Sequence, residues 1–149
     1  MKIFVGADHG GFQLKEELKK YLVGLGHEPE DMGASKLDMD DDYPDFVVPV
    51  AQSVVQNPET LGIVIGRSGN GEAIMANKVR GVRAALCLSE DMARLARADN
   101  DANVLSLGAD FVDAELAKKI TEIFLKTPFL NEERHTRRVK KVAYYESNR

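Results

Sequence analysis

Gly66-Arg67-Ser68-Gly69-Asn70-Gly71-Glu72 brings three glycines and a carboxylate together directly after an apolar run and ahead of a helical one. Glycines at that density let the backbone approach a ligand closely and aim several N–H groups at one point. A helix opening there adds the positive end of its dipole. The combination reads as an anion-binding loop with a carboxylate attached. It is not a nucleotide loop of either common kind. Gly66 and Gly71 have Walker spacing, but Glu72 and Ala73 stand where lysine and a hydroxyl residue are required. The dinucleotide pattern G-x-G-x-x-G fails at Ile74. A carboxylate beside anion-stabilising amides suits proton abstraction next to a carbonyl, the amides holding the developing oxyanion. On local grounds Glu72 reads equally well as a favourable charge in a helix's first turn. The dipole there would lower its pKa and weaken it as a base unless a closed site desolvates it. Ser68 reads either as a donor within the loop or as ordinary turn chemistry.

Other groups could join this loop. Asp8 and His9, followed by Gly10 and Gly11, end the first apolar run, where a carboxylate and an imidazole could bind hydroxyls or a phosphate. The plainer alternative is a helix-capping Asp8 and a solvated His9. Arg134, Arg138 and Lys141 fall on one helical face with His135 and Arg137 beside them, which is either a solvated face or a phosphate clamp built on arginine forks. Acidic residues at 38, 40 and 42 match calcium-loop positions, but Tyr43 replaces the required glycine and Pro49 the required glutamate, so the segment 38–45 reads as a solvated acidic loop. Tyr43, before Pro44, could project into a site. The three histidines lack metal-ligand spacing, and no metal is expected.

These residues need elements to place them. Short apolar runs alternate with helical patterns, the signature of βαβ units around a parallel sheet. Strands are predicted at Lys2–Ala7, near Glu28–Met32, and at Leu61–Gly66, Arg83–Leu88 and Asn103–Leu107. Leu14, Leu18, Tyr21, Leu22 and Leu25 form the apolar face of a helix closed by Gly26. Pro44–Val55 follows as a helix in which Pro49 should produce a kink or a delayed start. A short helix is expected over Gly71–Val79, and a Ser89-capped one to about Ala98. Asp113–Lys126 presents Leu116, Ile120, Ile123 and Phe124 inward, and a last helix begins at Asn131. In such sheets ligands bind beyond the carboxyl ends of strands. That rule selects the turns after strands one, three and five, which hold Asp8, the glycine loop and Gly108-Ala109-Asp110.

The chain of 149 residues, 44% hydrophobic and 30% charged, has the composition of one soluble globular domain spanning 1–149. A net charge of −4 argues against general nucleic-acid binding, and no apolar run approaches the roughly 18 residues of a membrane span. Cys87 is the single cysteine, which fits a reducing, cytoplasmic setting.

Seven segments together resemble the type B ribose-5-phosphate isomerases: Asp8-His9-Gly10-Gly11, Asp42-Tyr43-Pro44-Asp45, Ser68-Gly69-Asn70-Gly71-Glu72, Ala76-Asn77-Lys78, Gly81-Val82-Arg83-Ala84-Ala85, Asn100-Asp101-Ala102-Asn103-Val104-Leu105 and Arg134-His135-Thr136-Arg137-Arg138. The resemblance covers nearly the whole chain. It implies an α/β fold, a Rossmann-like three-layer α/β/α sandwich with a five-stranded parallel sheet and a C-terminal helix. It also implies a homodimer or homotetramer with sites at subunit interfaces. The implied activity interconverts D-ribose 5-phosphate and D-ribulose 5-phosphate through a cis-enediolate, without metal or other cofactor. Allose 6-phosphate, galactose 6-phosphate or sugar-phosphate binding without turnover are the alternatives. One branch of the family carries a catalytic cysteine at the position of Gly66, the other a glutamate at that of Glu72. This chain resembles the glutamate branch, which leaves Cys87 as a core residue. By that resemblance Glu72 moves the proton and the amides from Ser68 through Gly69 and Asn70 to Gly71 hold the enediolate. Asp8 handles hydroxyl protons, Tyr43 lines the pocket, and Asn100 comes from a partner subunit. His9, Arg134, His135 and Arg138 bind phosphate. Two positions depart from the family pattern. Asp99 stands where a ring-opening histidine is usual, and Asp110 where an arginine is usual, with Arg67 the candidate to supply the missing positive charge.

Overall fold

The computed structural model describes Met1–Arg149. Its elements in chain order are β1 (Lys2–Ala7), α1 (Phe12–Gly24), β2 (Glu28–Asp31), α2 (Pro44–Gln56), β3 (Leu61–Gly66) and α3 (Asn70–Ala76). After these come β4 (Ala84–Leu86), α4 (Glu90–Asn100), β5 (Val104–Gly108), α5 (Ala114–Lys126) and α6 (Glu133–Ser147). All five strands are parallel, in the order β2-β1-β3-β5-β4. The chain reverses its direction of progress between β1 and β3, which makes the carboxyl ends of those strands the switch-point crevice.

Alternation along the strands divides the core into two layers. Ile3, Val5, Ile63, Ile65, Leu105 and Leu107 face one way and pack with Leu14, Leu18 and Leu22 of α1 and with Ile120 and Phe124 of α5. Phe4, Val64 and Val104 face the other way, against Val47, Val50, Ala51 and Val54 of α2. Cys87 belongs to the first layer at 1% exposure, and burial pushes its thiol pKa up to about 12, so it is an inert core group.

Several boundaries differ from expectation, each for a local reason. Helix α2 begins at Pro44 with no delay, because Pro44 sits in its first turn and Pro49 forfeits only one hydrogen bond early in the helix. Helix α3 ends three residues early. There the Asn77 amide donates to the Ala84 carbonyl at 3.0 Å and accepts from the Ala84 N–H at 2.8 Å, turning the chain toward β4. Strand β4 starts after Arg83, whose N–H is taken by the Asn103 side chain at 2.8 Å. Ser89 caps α4 through the Met92 N–H at 3.2 Å, and that helix continues to Asn100. Leu25 is exposed rather than part of the α1 face, whereas Lys15 is fully buried.

Candidate active site

Strand β1 delivers Asp8 and His9 to the crevice. Asp8 is buried and its Oδ1 accepts the Gly10 N–H at 2.9 Å, so it closes a turn and does not cap α1, whose N-cap is Gly11. Opposite, β3 leads into the glycine loop. Gly69 adopts φ +80° and its carbonyl is held by the buried Ser106 hydroxyl of β5 at 2.7 Å. A β-carbon there would also strike Leu86 at 2.6 Å, so both backbone and space require glycine. Ser68 Oγ accepts the Asn70 N–H at 3.2 Å, which tightens the loop as α3 opens. The β3 and β5 loops are stitched together by Ala109 N–H to Gly66 O at 2.8 Å and Asp110 N–H to Arg67 O at 2.9 Å.

Glu72 turns back from α3 over the end of β3, and its carboxyl group occupies the space a side chain on Gly66 would fill. It is 4% exposed. Burial is the main influence on its carboxyl and raises the pKa above the ordinary glutamate value. A hydrogen bond from its own N–H works against this rise, and the charge of Asp8 adds to it. The sequence poses a dipole-weakened carboxylate; desolvation reverses that direction and makes Glu72 a stronger base. The Tyr43 ring lies against Gly71, where a β-carbon would sit 2.7 Å from the ring's Cζ. Tyr43 thus walls the loop.

The reading of 38–45 as a solvated acidic loop fails at Asp41. Its side chain is 8% exposed, and Oδ1 accepts from the His9 backbone N–H at 3.0 Å and pairs with His9 Nδ1 at 2.7 Å. Nothing in the local pattern marks this aspartate, because its partner lies 32 residues away in the turn after β1. The start of the β2–α2 loop that carries it is pinned beside β1 by Ala7 N–H to Gly33 O at 2.9 Å and Ala34 N–H to Ala7 O at 2.7 Å. The buried Lys15 ammonium holds it too, donating to Asp31 Oδ1 at 2.7 Å and Ala34 O at 2.5 Å. Donor atoms of Asp8, His9 and Asp41 lie within 4.8 Å of one another, but the His9–Asp41 hydrogen bond already engages the facing atoms of two of them.

Arg67 and Asp110 meet in an exposed ion pair, Nε to Oδ2 at 3.3 Å. The Arg67 stem crosses directly over Gly10, next to His9. The aspartate therefore orients the arginine at the mouth of the crevice, leaving the rest of its fork available.

The remaining candidates are elsewhere. Helix α4 runs back from the end of β4 and carries Asp99 and Asn100 to the amino ends of the strands, where the Asn100 carbonyl accepts from Arg83 Nε at 3.0 Å. His135 of α6 is buried beside Asp99, Nε2 to Oδ1 at 3.5 Å, and Arg134 pairs with Glu132 at 3.1 Å. Within one chain, Asp99, Asn100, Arg134, His135 and Arg138 thus do not line the crevice that holds Glu72. The antiparallel return of α4 separates the two sets by the length of the sheet, so one chain alone does not gather them into a single pocket.

A parallel α/β sheet whose switch point carries a buried carboxylate, a second carboxylate and glycine-loop amides defines a site for proton transfer on a small anionic ligand. The family model for ribose/galactose isomerases matches residues 3–142, and the chain belongs to that family. Ribose-5-phosphate isomerase B of Mycobacterium tuberculosis is 44% identical over 146 residues, covering 98% of this chain and 90% of that protein. The ribose-5-phosphate isomerase B structure from Clostridium thermocellum superposes with TM-score 0.95 at 43% identity, covering 99% of both chains. The Mycoplasma genitalium structure with bound ribulose 5-phosphate gives TM-score 0.95 at 42% identity, covering 99% of this chain and 97% of that one.

Proposed function

We propose that the chain is an aldose–ketose isomerase interconverting D-ribose 5-phosphate and D-ribulose 5-phosphate, with Glu72 as the base. The observation that carries this reading is the desolvated Glu72 carboxyl packed over Gly66 at the head of the amide loop, with Asp8 beside it. Glu72 removes the C2 proton of the open-chain aldose and returns it to C1. The carbon electrons shift within the substrate, so the net reaction needs no external oxidant. The amides from Ser68 to Gly71 stabilise the enediolate oxygens, and Asp8 relays the hydroxyl proton. Tyr43 shields the intermediate from water. The phosphate meets His9 and the free side of the Arg67 fork. Enzymes sharing this architecture and 42–44% identity act on or bind these pentose phosphates by name.

A second copy of the chain completes the site. Beside the edge strand β4 runs a largely apolar groove of about 620 Å³ between α4 and α6, flanked by exposed Met92, Leu95, Val142 and Tyr145. An unpaired edge and an apolar face of this kind suit self-association. Association there brings Asn100, Asp99, Arg134 and Arg138 of one copy toward the Glu72 crevice of the other, the arrangement that reconciles the two separated sets. An enzyme with one buried, inert thiol also suits the cytoplasm, where we place it.

The test is a panel of pentose and hexose phosphates with wild type and Glu72→Gln. Ribose 5-phosphate should be the best substrate, and the substitution should lower kcat by about 10²–10⁴-fold with KM little changed, since a general base is lost and the ligand contacts remain. Preference for a hexose phosphate would replace the substrate assignment. Full turnover by Glu72→Gln would discard the mechanism.

A further inference from the structure

Asp41 has no part in the chemistry above, yet its side chain is almost wholly buried at the rim of the crevice. Two donors of one residue converge on its Oδ1: the His9 N–H at 3.0 Å and His9 Nδ1 at 2.7 Å. Binding both the backbone and the ring of His9 to one oxygen leaves the imidazole no freedom to flip. Nδ1 is engaged, and Nε2 is the ring's free donor. The second oxygen of Asp41 is buried without any hydrogen-bond partner. A buried carboxylate oxygen in that state favours a positive charge on the one group that touches its carboxyl, because an unpaired buried charge is strongly disfavoured.

We propose that Asp41 is a positioning residue that fixes the His9 ring and makes it an imidazolium at neutral pH, a cationic anchor for the phosphoryl group and not a proton carrier. This rests on the sugar-phosphate reading of the site. The surroundings of His9 agree with it. The hydrogen bond to Asp41 is the largest influence on the ring and raises its pKa, and the charges of Asp8 and Asp41 add to the rise. Burial and the Arg67 guanidinium act in the opposite direction. Those groups come from the end of β1, the β2–α2 loop and the β3–α3 loop, so all three walls of the crevice are represented. A dianionic phosphate arriving beside Arg67 tilts the balance further toward the charged ring. Held as a cation, His9 has no proton-accepting nitrogen, which leaves the acid–base steps to Glu72 and Asp8.

The decisive measurement is an NMR pH titration of the imidazole nitrogens in the ligand-free protein, paired with KM and kcat between pH 6 and pH 8.5. In wild type the His9 midpoint should lie above that of His27, whose ring is pushed down by burial and by the N-terminal charge. Addition of inorganic phosphate should raise it again. In Asp41→Asn the midpoint should fall, and KM at pH 8 should rise about tenfold or more, the scale of one lost hydrogen bond to a charged group. At pH 6 protonation of the ring depends less on Asp41, so the rise in KM should be smaller than at pH 8. A wild-type His9 midpoint at or below that of His27 overturns the proposal without any variant, as does an unshifted midpoint in Asp41→Asn. A KM increase independent of pH also overturns it, being what simple distortion of the loop produces. If Asp41→Asn lowers the midpoint but wild type turns over no sugar phosphate, the anchor role falls with the sugar-phosphate reading, while the pairing of Asp41 with His9 stands.

Discussion

Gly66→Ala should lower kcat by about 10²-fold by pushing the proposed base, Glu72, aside. Gly66 ends β3 and is buried, with its backbone in ordinary strand conformation, so alanine meets no backbone strain. The added methyl instead falls on the Glu72 carboxyl, within 2.5 Å of Oε2 and closer still to Cδ and Oε1. Ordinary contact begins at 3.4 Å, so even the farthest of those atoms must retreat by the difference, 0.9 Å. A base misplaced by about 1 Å typically loses on the order of 10²-fold in rate, or about 2.7 kcal/mol of barrier. Overpacking of a buried site destabilises by about 1–3 kcal/mol, so the fold should persist with a lowered Tm. The assay is steady-state isomerisation of ribose 5-phosphate, with thermal unfolding as the control for folding. The expected pattern is kcat down about 10²-fold, KM within a few-fold of wild type, and a cooperative transition retained. A folded Gly66→Ala protein with wild-type kcat would refute the reasoning, because Glu72 could not then be working from the position it occupies.

Two further predictions concern the charge beside the base and the second copy of the chain. As the proposed base Glu72 works deprotonated, and its pKa is raised by burial and by Asp8, so kcat/KM should fall as pH drops through a value above the ordinary glutamate range; Asp8→Asn removes one of the two raising influences and should move that acid limb to lower pH, and an unmoved limb would separate Asp8 electrostatically from the proposed base. Leu95→Glu places a charge in the apolar groove beside β4, where burial of an unpaired charge costs about 3–5 kcal/mol, so light scattering should show dissociation by more than about 10²-fold and activity should fall with it; a fully active monomer would show that one chain suffices.

The features legible in the sequence were those whose cause is local. Glycine spacing and the absence of lysine after Gly71 identify the loop, and short apolar runs identify β1, β3 and β5. What sequence order concealed depends on which segments become neighbours in space. Asp41 reads as one of a solvated acidic run until β1 is placed beside its loop. Lys15 looks like the polar side of an amphipathic helix, yet it is buried because Asp31 and the Ala34 carbonyl satisfy its ammonium. The insertion of β5 between β3 and β4 sets Gly66 opposite Gly108, and so puts Arg67 beside Asp110. The same topology sends α4 back down the sheet, and no local pattern reveals that Asp99 and Asn100 end at the amino ends of the strands.

The shared space of Gly66 and Glu72 bears on how such enzymes diverge. The resemblance described above implies two branches, one with a cysteine base at the position of Gly66 and the other with a glutamate at that of Glu72. Here the Glu72 carboxyl fills the volume that any side chain at position 66 would need. A side chain at position 66 and the Glu72 carboxyl therefore compete for one cavity: adding the first displaces the second, and the two cannot both take this position in one chain.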